Sequence, residues 1–201
     1  TLLAQITTLS SPAFEGRAPA TPGERLTLDY LVAEFRRLGL VSAHPDGSFL
    51  QEVPMVGITS APQATLRAGG RQIDWEMPRD YVGGSALLQP SSRVDDAELV
   101  FVGHGVVAPE FGWDDYRGAD VRGKIVVTLP NDPQVADPAQ PGALDARFFK
   151  GPVQTWYATS RHKREVALAR GAVGRIGVWL DDSPIGFWSF IQANSSAEDL
   201  D

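Results

Sequence analysis

Two largely apolar, β-rich runs dominate the hydrophobic pattern of this chain, Leu99–Val102 and Ile125–Leu129. Both contain β-branched residues and are bounded by turn-forming residues, which is typical of short strands buried on both faces. The segment between them departs from the strand pattern at Gly103 and Gly105. The strand pattern resumes after a V-R-G-K turn that ends at Lys124. The pattern therefore predicts two strands joined by a long loop.

A helical pattern follows the second apolar run. It begins after Gly151, is strongest over Lys163–Arg170, and ends at Gly171. Arg175–Leu180 is then another segment typical of a buried strand. Strand, helix and strand in this order predict a right-handed βαβ crossover between parallel strands.

The clearest helical pattern lies near the start of the chain, over Thr21–Leu38, after a shorter one at Thr1–Leu9. Thr21 can cap the longer helix, Pro22 suits its first position, and Glu24 completes a capping box. The helix carries one apolar stripe, which is typical of a helix that docks against a core. The stripe consists of Leu28, Leu31, Val32, Phe35 and Leu38.

Extended structure is predicted after this helix. Phe49–Ile58 favours a strand in which Pro54 places a bend or an edge. Ala64–Ala68 and Gln72–Trp75 favour a β-hairpin, because they are joined by the turn-forming pair Gly69-Gly70.

The order of these elements predicts a mixed α/β protein of the α+β type. Its 201 residues are enough for one large or two small domains. We expect a boundary near Gly47–Pro62, with a helical segment at residues 1–50 and a β-rich domain at residues 51–201. Pro184–Ile191 favours a short helix, and Asn194–Asp201 favours a polar, acidic tail.

Composition excludes several classes of function. The net charge of −7 argues against nucleic-acid binding, which needs a basic face. The absence of cysteine excludes disulfides and thiolate metal sites. No apolar run approaches the roughly 20 residues that span a bilayer, so no transmembrane segment is expected. The first residue is Thr1 rather than Met, which favours a processed or trimmed chain.

The three histidines, His44, His104 and His162, stand apart and share no metal-ligand spacing. His44 begins an H-x-D sequence, but Pro, Asp and Gly in succession favour a turn. His104 lies between two glycines at a strand end, where it could serve as a ligand or a base, or be a structural histidine held by hydrogen bonds. We therefore predict no catalytic residue and no metal ligand in this chain.

The sequence Trp113-Asp114-Asp115-Tyr116 has two interpretations. Aromatic area and two carboxylates could contact a substrate or a partner. The same residues could form a structural turn, with Trp113 packed inward and the aspartates accepting backbone N–H bonds. With His104, they form the candidate substrate-access or interaction loop, called here the 103–116 loop.

This loop carries a resemblance to a known family. The pattern G-x-G-[IV]-x-x-P-E-x-x-W-[DN]-D-Y, followed by a D-V-K-G-K-I-V-V-like strand, resembles the protease-associated domain inserted in secreted zinc-dependent aminopeptidases of the zinc aminopeptidase/glutamate carboxypeptidase type. The matching residues are Gly103, Gly105, Val106, Pro109, Glu110, Trp113, Asp114, Asp115 and Tyr116.

The start of the chain is similar to the opening of the same family. There, an initial helix and a G-R-x-P-G-T-x-G-like loop precede the first long helix. Gly16 and Arg17 match the start of that loop, whereas Ala20 stands where the family often has glycine. The two matching stretches occur in the family's order.

The resemblance implies a swivelling β/β/α-like protease-associated domain preceded by a helical segment of a peptidase domain. It implies a non-catalytic role in shaping substrate access or mediating protein contacts. The two zinc ions and their ligands, an H-x-D pair, a later Asp and a Glu-Glu pair, would belong to a peptidase domain outside this chain, which alone should be inactive.

Implied partners are the missing peptidase domain of the same polypeptide and peptide substrates, with homo-oligomerisation left open. The implied compartment is secreted or periplasmic. The alternative function is a free-standing module that binds peptide or protein segments.

Overall fold

The computed structural model describes residues 1–85, 87–180 and 188–195, together with the backbone of residues 199 and 200. The protein is mixed α/β, with several helices and small sheets. It divides into two units, Thr1–Met55 and Val56–Asp201. The division lies within the segment in which the sequence predicts a boundary.

The Thr1–Met55 unit contains helix α1 (Leu2–Leu9) and helix α2 (Pro22–Arg37), joined through a 3₁₀ turn at Pro12–Arg17. Thr21 caps α2, since its hydroxyl accepts the Glu24 N–H at 3.3 Å. The Glu24 carboxylate accepts the Ala20 N–H at 2.7 Å, one residue before the cap. Both predicted helices are thus present.

Four residues of the apolar stripe are half-buried, and the fifth, Leu38, follows the end of α2 and is 58% exposed. Phe35 packs on Phe49, with ring centroids 5.7 Å apart, and Phe14 packs on Tyr30 at 6.4 Å. Within residues 1–55, all of which the structure describes, Gly23 alone is buried. The unit therefore has contacts between pairs of side chains but no internal core of buried apolar residues.

The Val56–Asp201 unit contains, among the described residues, nine short strands. They are β1 (Gly57–Ile58), β2 (Ala64–Ala68), β3 (Arg71–Trp75), β4 (Leu99–Phe101), β5 (Val107–Ala108), β6 (Trp113–Asp114), β7 (Ile125–Thr128), β8 (Gly174–Gly177) and β9 (Asp199–Leu200). Helix α3 (Ser160–Ala169) and helix α4 (Trp188–Asn194) belong to the same unit.

The predicted hairpin is present, because β2 and β3 pair antiparallel across Gly69 and Gly70. Both glycines have positive φ, 56° and 73°, as a two-residue hairpin turn requires. The prediction of a strand over Phe49–Ile58 is wrong for most of its length. Only β1 at its end is a strand, paired antiparallel with β9. In the part of the chain that the structure describes, no strand pairs with the remainder.

A three-stranded parallel sheet in the order β4-β7-β8 forms the centre of this unit. Helix α3 connects β7 to β8, so the predicted βαβ arrangement of parallel strands is confirmed. The prediction that both strands of the first pair are buried on two faces holds for one face of β7, with Val126 and Thr128 buried and Ile125 and Val127 half-buried, and is wrong for β4. Its Leu99 is 40% exposed and its Phe101 is 62% exposed.

Two clusters of buried side chains lie in the unit. The first lies between the sheet and α3 and consists of Val102, Tyr116, Val121, Val126, Ala167 and Ala172. The second lies beside β5 and consists of Val106, Ala108 and Phe149, with partly buried aromatic rings packed around them. Residues that follow β4 contribute to both clusters.

The short helix predicted at Pro184–Ile191 lies partly outside the described residues, and α4 covers its second half. Among the helices that the structure describes, none combines the length and the apolar character needed to cross a membrane.

Candidate functional site

The 103–116 loop begins with a tight turn of Gly103, His104 and Gly105 at the end of β4. Gly105 has a φ of 69°, and a Cβ atom added there would lie 2.6 Å from Thr128 Cγ2, so glycine is required. The Gly103 carbonyl accepts the Leu129 N–H at 2.8 Å. The turn thereby fixes His104 beside the end of β7, at the carboxyl edge of the parallel sheet.

The two aspartates of the loop hold its own backbone. Asp115 accepts the Val106 N–H at 2.9 Å through Oδ2 and the Trp113 indole N–H at 2.8 Å through Oδ1. Asp114 accepts the Tyr116 N–H at 2.9 Å. The prediction that these carboxylates accept backbone bonds is confirmed, and the bonds agree with the structural-turn interpretation of the segment.

Arg170, which follows α3, joins the helix to the loop. Its guanidinium donates to Asp114 Oδ2 at 3.0 Å and lies 4.9 Å from the centroid of the Tyr116 ring. Tyr116 is only 1% exposed, and its burial raises the pKa of the phenol. Among the described residues, its hydroxyl has no hydrogen-bond partner. Tyr116 is thus a core residue rather than a surface for ligands.

Trp113 is half-buried and meets the ring of Phe149 edge to face, with centroids 5.6 Å apart. Phe149 is fully buried and also contacts Phe111 at 4.7 Å and Tyr157 at 5.7 Å. The Tyr157 hydroxyl donates to Glu110 Oε1, and this bond lowers the pKa of the Glu110 carboxyl. The aromatic residues therefore attach the loop to the segment that precedes α3.

His104 lies in the wall of an open cleft of about 440 Å³. Its Nδ1 is 2.8 Å from the Pro130 carbonyl oxygen and 3.2 Å from that of Asn131. Because carbonyl oxygens only accept hydrogen bonds, Nδ1 carries a proton, and Nε2 is an acceptor in the neutral ring. The rest of the cleft combines polar and apolar side chains, chiefly Leu129, Asp132, Gln134, Gln154 and Leu180.

The position of the cleft follows from the sheet. His104 follows β4, Leu129 and Asn131 follow β7, and Leu180 comes after β8. The cleft thus lies beyond the carboxyl ends of three parallel strands, where open parallel sheets generally bind their ligands.

Sequence reasoning misses Lys163, a buried charge beside this cleft. Lys163 is 2% exposed, and its ammonium donates to the carbonyl oxygens of Leu129, at 2.7 Å, and of Asn131. Burial lowers the pKa of Lys163 to about 8, helped by the positive charge of Arg175 and opposed by the carboxylate of Asp132. The lysine therefore holds the backbone that forms one side of the cleft.

Asp132 is a second buried charge, 3% exposed, that sequence reasoning misses. It accepts the backbone N–H of Thr155 at 2.9 Å and also its hydroxyl. Lys163 shares a helical face with Ala167 and Arg170, and this spacing could have marked it as inward-facing. Asp132 lies in a P-N-D-P sequence typical of an exposed turn, so no comparable signal was present.

The other two histidines have separate surroundings. His44 forms the predicted turn, since its Nδ1 lies 2.8 Å from Asp46 Oδ1 and its carbonyl accepts the Gly47 N–H at 3.0 Å. His162 is 9% exposed and meets the Tyr157 ring at 4.9 Å. Within the described part of the chain its Nε2 has no partner, and burial lowers its pKa.

The residues that the structure describes contain no group of three or more His, Cys, Asp or Glu side chains able to hold a metal ion. A catalytic zinc ion normally takes three protein ligands, and no such set occurs among these residues. Comparison with protein-family models, with curated proteins and with solved structures finds no match to this chain.

Proposed function

We propose that this chain is a non-catalytic part of a secreted or periplasmic zinc aminopeptidase. In this proposal, the Thr1–Met55 unit is the helical opening of the peptidase domain, and the Val56–Asp201 unit is a protease-associated domain. The domain shapes substrate access by binding peptide or protein segments in the cleft beside His104. Support comes from two sequence stretches that resemble the family and occur in its order.

The observation that carries the binding role is the chemistry of the cleft. A peptide group has one N–H donor and one carbonyl acceptor. His104 Nε2 can accept a peptide N–H, and the amides of Gln134 and Gln154 can each donate and accept. Leu129 and Leu180 add apolar contact area. An open cleft that mixes these groups suits a short extended segment better than a small charged ligand.

Under this proposal the zinc ligands belong to another part of the polypeptide. We expect an H-x-D pair, a later Asp and a Glu-Glu pair to follow in the same reading frame. The 201-residue chain should then hydrolyse no aminoacyl chromogenic substrate and retain no stoichiometric zinc after dialysis. The polypeptide of the complete reading frame should hydrolyse the substrate and retain zinc, and a chelator should abolish its activity. Chelator-sensitive turnover by the 201-residue chain would overturn the proposal.

The cleft itself can be tested by titrating unlabelled tri- to hexapeptides into the chain and following backbone amide signals by NMR. Shifts should concentrate at His104 and at the residues that follow β7. Gln154→Ala should weaken peptide binding several-fold. Gln140→Ala, an exposed glutamine outside the cleft, is the matched control and should leave binding unchanged. Equal effects of the two substitutions would contradict binding in this cleft.

A second candidate function is a free-standing peptide- or protein-binding module. One observation favours this candidate. The lining residues of the cleft all belong to the Val56–Asp201 unit, so peptide binding there needs no other domain. A reading frame without zinc ligands, together with peptide binding and no hydrolysis, would decide for this module.

A further inference from the structure

Among the residues that the structure describes, strand β4 is an edge strand of the parallel sheet, with β7 as its one neighbour. At the two ends of β4, the Glu98 carbonyl accepts from β7 at 2.9 Å and the Val102 N–H donates to β7 at 3.1 Å. Backbone groups alternate in direction along a strand, so those of Leu99 and Phe101 point away from β7. The outer edge thus presents two N–H groups and two carbonyl groups.

The side chains of the same two residues are exposed on one face of the sheet. Leu99 is 40% and Phe101 is 62% exposed. The strand has no charged residue and no proline, which are the usual protections of an open edge. The flanking Glu98 forms an ion pair with Lys124, so it leaves no unpaired charge next to the strand. The edge is short but chemically open to a further strand.

We propose that two copies of this chain pair through β4, antiparallel about a two-fold axis at Val100. In this register Leu99 lies opposite Phe101 of the second copy, and the same contact occurs twice. The outward backbone groups then also lie opposite one another, as a hydrogen-bonded antiparallel pair requires. The result is a continuous six-stranded sheet with an isologous interface.

Neighbouring registers are less suitable. A shift of two residues in one direction places Phe101 opposite Ala97, and a shift in the other direction places Leu99 opposite Gly103. Either shift loses one of the two apolar cross-strand contacts that stabilise a sheet. The second shift also loses a backbone bond, because the Gly103 carbonyl already accepts the Leu129 N–H. The pattern of the strand therefore favours the register centred on Val100.

The exposed area predicts a weak dimer. A Phe side chain buries about 150–250 Å² when fully covered, so the 62% exposed Phe101 can contribute roughly 100–150 Å² per copy. With Leu99 and the backbone, the interface stays well below the ~1,200 Å² typical of stable complexes. Each copy also carries a net charge of −7, so the dimer should strengthen with salt.

Sedimentation equilibrium from about 10 μM to about 1 mM covers the affinity range expected of so small an interface. The wild-type chain should dimerise within this range. Phe101→Lys should weaken the dimer at least about tenfold, because it places a charge in the apolar contact. It should leave the melting temperature of dilute protein unchanged. Leu168→Lys replaces a 72% exposed leucine on α3 and should not change the dimer.

Backbone amide exchange identifies the surface independently. Exchange of the Leu99 and Phe101 amides should slow as protein concentration rises, whereas exchange of the Val100 amide should not change. A chain that stays monomeric at the highest concentration would overturn the proposal, and so would a dimer insensitive to Phe101→Lys. Protection of both edge amides in dilute protein would show that something within the chain covers the edge instead. None of these outcomes depends on peptide binding in the cleft.

Discussion

The buried Lys163 gives a test of the electrostatics around the cleft. Burial lowers the pKa of its ammonium from the ordinary 10.5 to about 8. A difference of this size between the folded and unfolded states corresponds to about 3 kcal/mol of folding free energy. Lys163→Met removes the titrating group and should therefore remove this pH-dependent contribution.

The direction of the effect follows from proton binding. Below pH 8 both states carry the ammonium charge, and the folded state bears the full cost of burying it. Between pH 8 and 10.5 the folded state has lost the proton while the unfolded state keeps it, so stability rises with pH. The free energy of unfolding of the wild type, minus that of Lys163→Met, should increase by about 3 kcal/mol across this interval.

Urea denaturation followed by tryptophan fluorescence at several pH values measures this difference. Other groups that titrate in the same interval are common to both proteins and cancel in the subtraction. Lys150→Met, at an exposed lysine, controls for the loss of one positive charge from the surface. A difference that stays constant, or falls, as the pH rises would refute the assignment of a buried, desolvated ammonium to Lys163.

Three further tests use matched or reference variants. Gly105→Ala should lower the free energy of unfolding by about 2–4 kcal/mol, because a methyl group has no room there, whereas Gly112→Ala, in open space, should cost about 1 kcal/mol. Urea denaturation of both variants measures this contrast. Trp113→Ala should cost about 2–3 kcal/mol and the exposed Trp156→Ala less than about 1 kcal/mol, and equal costs would contradict the packing described. Burial lowers the pKa of His162 below 6.5, so the unfolded state binds its proton first and stability falls as the pH drops through 6.5. His162→Gln should lose this part of the decline in denaturation measured at several pH values.

Much of the fold could be predicted because the relevant signals are local. The adjacent glycines of the hairpin supply the positive φ that its turn needs. Thr21 and Glu24 mark the start of α2 through bonds made within four residues. The run that forms β7 is recognised by its β-branched residues. The strand predicted at Arg175–Leu180 is present only as β8, Gly174–Gly177, so its predicted bounds are wrong at both ends.

The failures arise where tertiary contacts decide the outcome. Phe49–Ile58 has the composition of a strand, but a strand needs a neighbour, and among the described residues one pairs with β1 alone. The apolar run of β4 does not reveal that it would lie at an edge, with Phe101 exposed.

The candidate site was predicted only in part for the same reason. The loop and His104 were identified from glycine spacing. The hydrogen-bond partners of His104 depend on the path of the chain after β7. The same path decides whether Lys163 and Asp132 are buried.

The parallel pairing of β7 with β8 also affects how the chain folds. The hairpin β2–β3 closes across two residues, whereas β7 reaches β8 only after a long loop and helix α3. Closing so long a segment costs chain entropy before any strand contact compensates for it. We therefore expect the helices and the hairpin to form early and the parallel sheet to set the overall folding rate. During that interval the apolar strands remain unpaired, and dilute protein at low temperature should refold with the best yield.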